Sequence, residues 1–365
     1  MLRHGANLRD RNRDGQTALY LACREGHRAL AEVLLDPVLT ADAPHTGHNA
    51  GRMPAAALQW QAVTVAEAEA AETAEGSGIG VEGAERAAAE FATRGAEPLL
   101  AMRTRNMKTA LHGAALNGHV DVVRFLLQPT RAEDDGQAGM IPADPHATDL
   151  CGSTALIDAA ANGQTAVVAE LLAFAAATTK ARRLDADLLL DSDEGPELDP
   201  EPEPTSDGDL VQWVNQRDLN GRNALHCAVV GEATADVDEE TRLAIVCQLL
   251  DYGLPVDSRD EDGSTALYWS CAQGLSKVAA LLLSRGADPN CRSARRSAIH
   301  VAIGWKHPLC VRLLLEHGAD ISARDLNGKD AVALVNSDDA CEECRQAVLR
   351  AATEAGIVRQ AANNH

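Results

Sequence analysis

One grammar recurs along this chain and limits what it can fold into. Its clearest copy, 257–290, reads DSRDEDGSTALYWSCAQGLSKVAALLLSRGADPN. A charged turn at Asp262-Gly263 precedes Thr265, a residue type that caps helices. A short apolar helix is expected next, then a break at Gly274 and a Leu-rich second helix stopped at Arg285-Gly286. The order restarts at once as RSAIHVAIGWKHPLCVRLLLEHGADIS, placing Ser297 where Thr265 stood, 32 positions on. A unit of this size cannot bury its apolar face alone, so copies must stack.

The other copies align on this one. Residues 1–36 hold a first complete unit, DGQTALYLACREGHRALAEVLLD, preceded by LRHGAN, which parallels the end of a unit and suggests a truncated N-terminal end. Residues 37–106 read as a degenerate unit with Met53-Pro54 at the Thr position, split by an Ala/Glu-rich insertion. Two clear units follow in 107–174, opening at Thr109 and Thr154 and separated by a lengthened Pro/Asp/Gly-rich connection. From 175 to 213 the pattern vanishes; Pro196, Pro200, Pro202 and Pro204 interrupt a run of Asp and Glu, with no basic residue between Arg183 and Arg217. Such a segment cannot offset the entropy of ordering and is expected to be a disordered acidic loop. Three units occupy 214–322, opening at Asn223, Thr265 and Ser297, and a polar unit with a tail, 323–365, reads as the C-terminal cap.

Each unit presents Leu or Ile two residues after the cap (Leu19, Leu111, Leu156, Leu225, Leu267, Ile299), then small residues, then paired leucines such as Leu282-Leu283 and Leu314-Leu315. This grammar resembles the ankyrin-repeat family, whose core is T-P-L-H-x-A at a period of about 33 residues; here Ala replaces the Pro at 18, 110, 155, 224, 266 and 298. The resemblance implies an all-α solenoid of helix-turn-helix pairs joined by short β-hairpin-like fingers, with disordered insertions. It also implies that His112, His226 and His300 hydrogen-bond within and between loops, and that partners lie across a concave face of finger tips and first helices.

The formal charge is −21, and only 3% of residues are aromatic. Such charge argues against a nucleic-acid backbone or an anionic membrane as principal partner. Nine cysteines, an odd number without framework spacing, suggest a reducing compartment, cytoplasmic or nuclear. Gly78-Ile79-Gly80-Val81-Glu82-Gly83 matches a dinucleotide fingerprint but lacks the preceding apolar strand. Asp10, Asn12, Asp14 and Gly15 imitate a calcium loop whose twelfth position is Leu21, where Glu is needed. Cys341 and Cys344 have metal-type spacing without a second pair. No cofactor, metal or catalytic constellation is expected, and the chain reads as non-enzymatic.

Binding residues follow from helical register. The residue after the His/Tyr position is Leu21, Gly113, Asp158, Cys227, Trp269 or Val301, and it is expected on the groove with Gln273 and Trp305 further along. Trp269 and Trp305 are the expected anchors, since Trp is enriched in interface hot spots. Arg292, Arg295 and Arg296 form an arginine finger beside them, and Asp262 marks the tip of the preceding one. The expected partner is therefore a protein with acidic features and an apolar anchor, bound by a monomer; the acidic loop occupying the groove is a rival occupant. The alternative functions are a targeting or substrate-recognition subunit of a larger enzyme complex, or a piece of a larger ankyrin-containing enzyme or channel. The few residues after Gly356 leave little space for an adaptor motif.

Overall fold

The computed structural model describes residues 7–35, 99–128, 142–190, 214–231, 237–336 and 341–354, with side chains left aside for 179–190. Within them lie seven helix pairs. The first helices are α1 (Ala18–Arg24), α3 (Ala110–Leu116), α5 (Ala155–Ala161), α7 (Ala224–Val230), α9 (Ala266–Gln273), α11 (Ala298–Gly304) and α13 (Ala331–Val335). The second helices are α2 (Arg28–Leu35), α4 (Val120–Leu127), α6 (Thr165–Leu190), α8 (Glu239–Asp251), α10 (Ser276–Ser284), α12 (Pro308–Glu316) and α14 (Glu342–Glu354).

Each first helix opens on an extended residue. The side chains of Thr17, Thr154, Asn223, Thr265 and Asp330 accept a hydrogen bond from the backbone N–H three residues on. Such a cap contributes about 1 kcal/mol, too little to hold a seven-residue helix in water. The rest comes from stacking. First helices pack on first helices and second on second from α1/α2 to α13/α14, burying one continuous core from Leu19 to Val348. Ala22-Cys23, Ala114-Ala115, Ala159-Ala160 and Ser270-Cys271 are buried where neighbouring first helices approach.

The fingers stack as well. Arg105 N donates to Asp14 O, Leu150 N to Asn106 O, Leu219 N to Cys151 O, Glu261 N to Asn220 O, Ala294 N to Asp262 O and Leu326 N to Arg295 O, at 2.8–3.3 Å. Most fingers close on an Asp or Asn; Asp149, Asp218 and Asp325 each accept two backbone N–H groups through Oδ1. Asn12 does the same for Asp14 and Gln16, so the calcium-like spelling at 10–15 is a turn.

Two expectations change. The bond from Arg105 to Asp14 and the packing of α1 on α3 leave no place in the stack for a unit between them. Residues 99–106 belong to the finger of the next unit, and the rest of the expected degenerate unit, with the glycine-rich 78–83, lies outside the described residues. The expected loop also begins later than 175, because α6 continues to Leu190. Its extension is built from Ala175–Ala177 and Leu188–Leu190, strong helix formers, and Ala175 is still buried. Residues 191–213 lie outside the described residues.

Candidate functional site

The expected groove row proves to be a seam. Gly113, Asp158, Cys227 and Val301 are buried, and Leu21 and Trp269 are half-buried. This position faces the neighbouring first helix and the fingers. A Cβ on Gly113 would come 3.2 Å from the Tyr20 ring. Asp158 binds Lys108 Nζ at 3.1 Å, with Asp149 at 3.8 Å on the same ammonium. Val301, at 5% exposure, is therefore core and not a partner contact.

Trp269 is tied down in the same seam. Its Nε1–H donates to Asp260 Oδ2 at 2.9 Å, and its ring meets Tyr268 edge-on at 5.9 Å. Asp260 Oδ1 meanwhile closes its finger by accepting from Ser264 N. The indole thus braces a finger against its own helix, and its polar edge is already used.

The three histidines of the motif do the same between units. Nε2–H of His112, His226 and His300 donates to the carbonyl of Ser153, Ser264 and Lys329 in the next finger, each at 3.1 Å. That fixes Nδ1 of His112 as the acceptor for the Thr109 hydroxyl at 2.8 Å. Burial pushes the His112 pKa down to about 4, which keeps the ring neutral in this role.

Accessible side chains lie four residues further along, at the C-terminal end of five first helices: Glu25, Asn117, Gln273 and Trp305 are exposed and Asn162 is half-buried. Gln273 Nε2 donates to Val230 O of the preceding unit. Trp305 stands out, with 65% of its surface open. The residue after this cap is glycine in most units, because the chain turns there through the left-handed region. The bare Gly26 and Gly274 receive the rings of His119 and His307 from the next unit. In the Trp305 unit that place is taken by Lys306, at φ 63°.

The arginine finger is also irregular. It is one residue shorter than its neighbours: Ser293 N donates to Arg296 O, whereas Asp260 N reaches one residue further, to Ser264 O. No glycine forms its tip, and Ser293 Oγ replaces the usual carboxylate in accepting from Arg295 N and Arg296 N. Arg292, Arg295 and Arg296 are exposed, as is Asp262, whose carbonyl receives the Ala294 N–H. Arg296 Nη1 lies 3.7 Å from the place a Gly304 Cβ would occupy, bringing the finger to the residue beside Trp305.

Beyond the arginine finger and Asp262, three further finger tips carry side chains that the sequence pattern did not single out. Leu326, Leu219 and Leu150 hold the same tip position in three fingers and are exposed. Their signal was a large apolar residue two places before the turn glycine, at the place where other fingers carry Arg105 or Glu261.

Comparison with known proteins matches these features to one family. The family model for ankyrin repeats matches residues 86–181 and 235–325, and a single ankyrin-repeat model matches 14–42. A putative ankyrin repeat-containing protein of Treponema pallidum (strain Nichols) is 38% identical over 89 residues, 24% of this chain and 30% of that protein. Ankyrin repeat and SOCS box protein 6 of Mus musculus is 36% identical over 89 residues, 24% of this chain and 21% of its own length. The matched region thus spans less than a third of these relatives. Among solved structures, the human ASB11 ankyrin repeat domain superposes with a TM-score of 0.51 over 92% of this chain and 98% of that one, at 18% identity. The ankyrin repeat domain of Bcl-3 gives 0.51 over 92% and 99%, at 19% identity. At such identities the likeness concerns the fold.

Proposed function

The chain belongs to the ankyrin-repeat family, and from that premise we propose that it is a non-enzymatic protein-interaction module, binding its partner along the open edge made by first-helix caps and finger tips. The observation that carries this reading is Trp305, a large aromatic held open to solvent where the equivalent positions carry the polar Glu25, Asn117, Asn162 and Gln273, and while Trp269 is tied to Asp260. The arginine finger beside it favours a partner with acidic features, and the site acts from a monomer. Nine cysteines, none of them in a disulfide, support a reducing compartment, cytoplasm or nucleus.

Affinity capture with quantitative mass spectrometry tests the reading. Trp305→Ala should deplete the partner about thirtyfold, the loss expected of a hot-spot anchor near 2 kcal/mol. Leu30→Ala, an exposed apolar change on α2, should leave capture intact. The same proteins captured equally by both variants would refute the assignment. A second reading, a substrate-recognition subunit of a larger enzyme, draws on the relative named for a SOCS box. Co-purification of ligase components with the full chain would favour it.

A further inference from the structure

Resting on the interaction-module reading, we propose that the fingers at Arg292–Ser297 and Arg324–Asp330 form a dedicated docking site for an extended peptide carrying adjacent carboxylates between two large apolar residues. Departures from the repeat grammar converge on this edge, and the stack needs none of them. The finger is shortened by one residue and closed by Ser293, so Arg295 stands where most other fingers carry the Asp or Asn of the turn, the turn glycine is missing, and Arg296 follows directly. Gly304 stands inside the last turn of α11, leaving the space over it to the Arg296 guanidinium. The next two residues are the open Trp305 and the left-handed Lys306.

Charge and apolar exposure then specify the occupant. Arg292, Arg295, Arg296 and Arg324 are exposed, and among the described residues none of them forms an ion pair. That is unexpected in a chain with 54 acidic residues against 33 basic ones. The two fingers are locked together: Arg292 Nη2 donates to Arg324 O at 3.3 Å, and Leu326 N donates to Arg295 O at 3.3 Å. The guanidiniums therefore hang on a bonded frame. The two most exposed large apolar side chains among the described residues are Leu326 at 73% and Trp305 at 65%; Leu326 N is bonded to Arg295 O, and Trp305 follows the Gly304 that Arg296 approaches. Guanidinium forks match carboxylates in bidentate geometry. These two apolar side chains do not suit a phosphodiester backbone. The −21 net charge repels any polyanion longer than the patch, which limits the ligand to a short acidic stretch.

A random peptide library displayed on phage and panned against the full chain at about 0.15 M salt tests this. Enriched peptides should share two neighbouring Asp or Glu residues between large apolar ones. The best enriched peptide, fluorescein-labelled, should lose at least about tenfold in affinity with Arg295→Ala/Arg296→Ala and with Leu326→Ala. It should bind normally to Leu219→Ala, an exposed tip leucine in another finger. Circular dichroism of each variant checks that the stack is intact. Enriched peptides without acids, binding indifferent to the double arginine change, or no enrichment at all would overturn the proposal. Peptides displaced instead by Gln273→Ala or Asn117→Ala would overturn this docking site while leaving the interaction-module reading standing.

Discussion

Lys306 holds a left-handed conformation at φ 63°, where the equivalent Gly26, Gly118, Gly163 and Gly274 carry no Cβ. For an L-residue with a side chain that backbone costs about 1–2 kcal/mol, partly offset by the greater freedom of glycine in the unfolded chain. Lys306→Gly should therefore raise stability by roughly 0.5–1 kcal/mol, read as a higher urea midpoint with unchanged slope; a lower midpoint would show that Lys306 contributes more than its backbone costs. His112 gives a pH signature. Its folded pKa of about 4 lies below the ordinary histidine value of 6.5, so the unfolded chain takes up the proton first. Its contribution is fully present above about pH 6.5 and is lost as pH falls to about 4, on the order of 3 kcal/mol at ~1.4 kcal/mol per pH unit. Urea unfolding between pH 7 and 4.5 should show this slope, and His112→Asn should flatten it. Burial lowers the pKa of His226 too and adds in the same direction.

At the scale of elements, the join between neighbouring units is a side chain set on a bare glycine. Gly274, at φ 75°, ends α9, and a Cβ there would lie 2.5 Å from Nδ1 of His307 in the next unit. Gly274→Ala combines backbone strain with this clash and should cost about 2 kcal/mol or more. His307→Ala opens the space, so the double variant should recover part of the loss; strict additivity in a denaturation cycle would mean the two residues are uncoupled. The pair His119 on Gly26 is built alike and adds a hydrogen bond from Nε2 to Arg24 O at 2.8 Å.

At the scale of the molecule, each pair of helices touches only its neighbours, which makes stability nearly one-dimensional. Leu314 is fully buried in α12, between α10 and α14. Leu314→Ala should cost about 2–5 kcal/mol and should act locally. Hydrogen exchange should lose protection in α11–α14 while α3–α5 keep theirs. Uniform loss along the chain would show a stack that opens as one body. The docking edge proposed above lies in those last units, so the same variant should weaken binding in proportion to their opening.

The sequence by itself determined the unit, its period and its core. Leu267, Ser270-Cys271 and Leu282-Leu283 could be placed because their positions stay small or apolar from copy to copy, and recurrence reports what stacking demands. The histidines were legible for the same reason. Tertiary structure alone decided what faces solvent. A first helix of about two turns is approached by two neighbouring helices, its own partner helix and a finger, so an exposed face cannot be inferred from period; Val301 was lost to the seam and Trp269 to Asp260 in this way. It alone decided which units are neighbours, because the bond from Arg105 to Asp14 joins residues far apart in the chain. Only there did Leu326 come to stand beside Arg295, and Arg296 beside the Gly304 that precedes Trp305, the first through a hydrogen bond between fingers that no local spacing encodes.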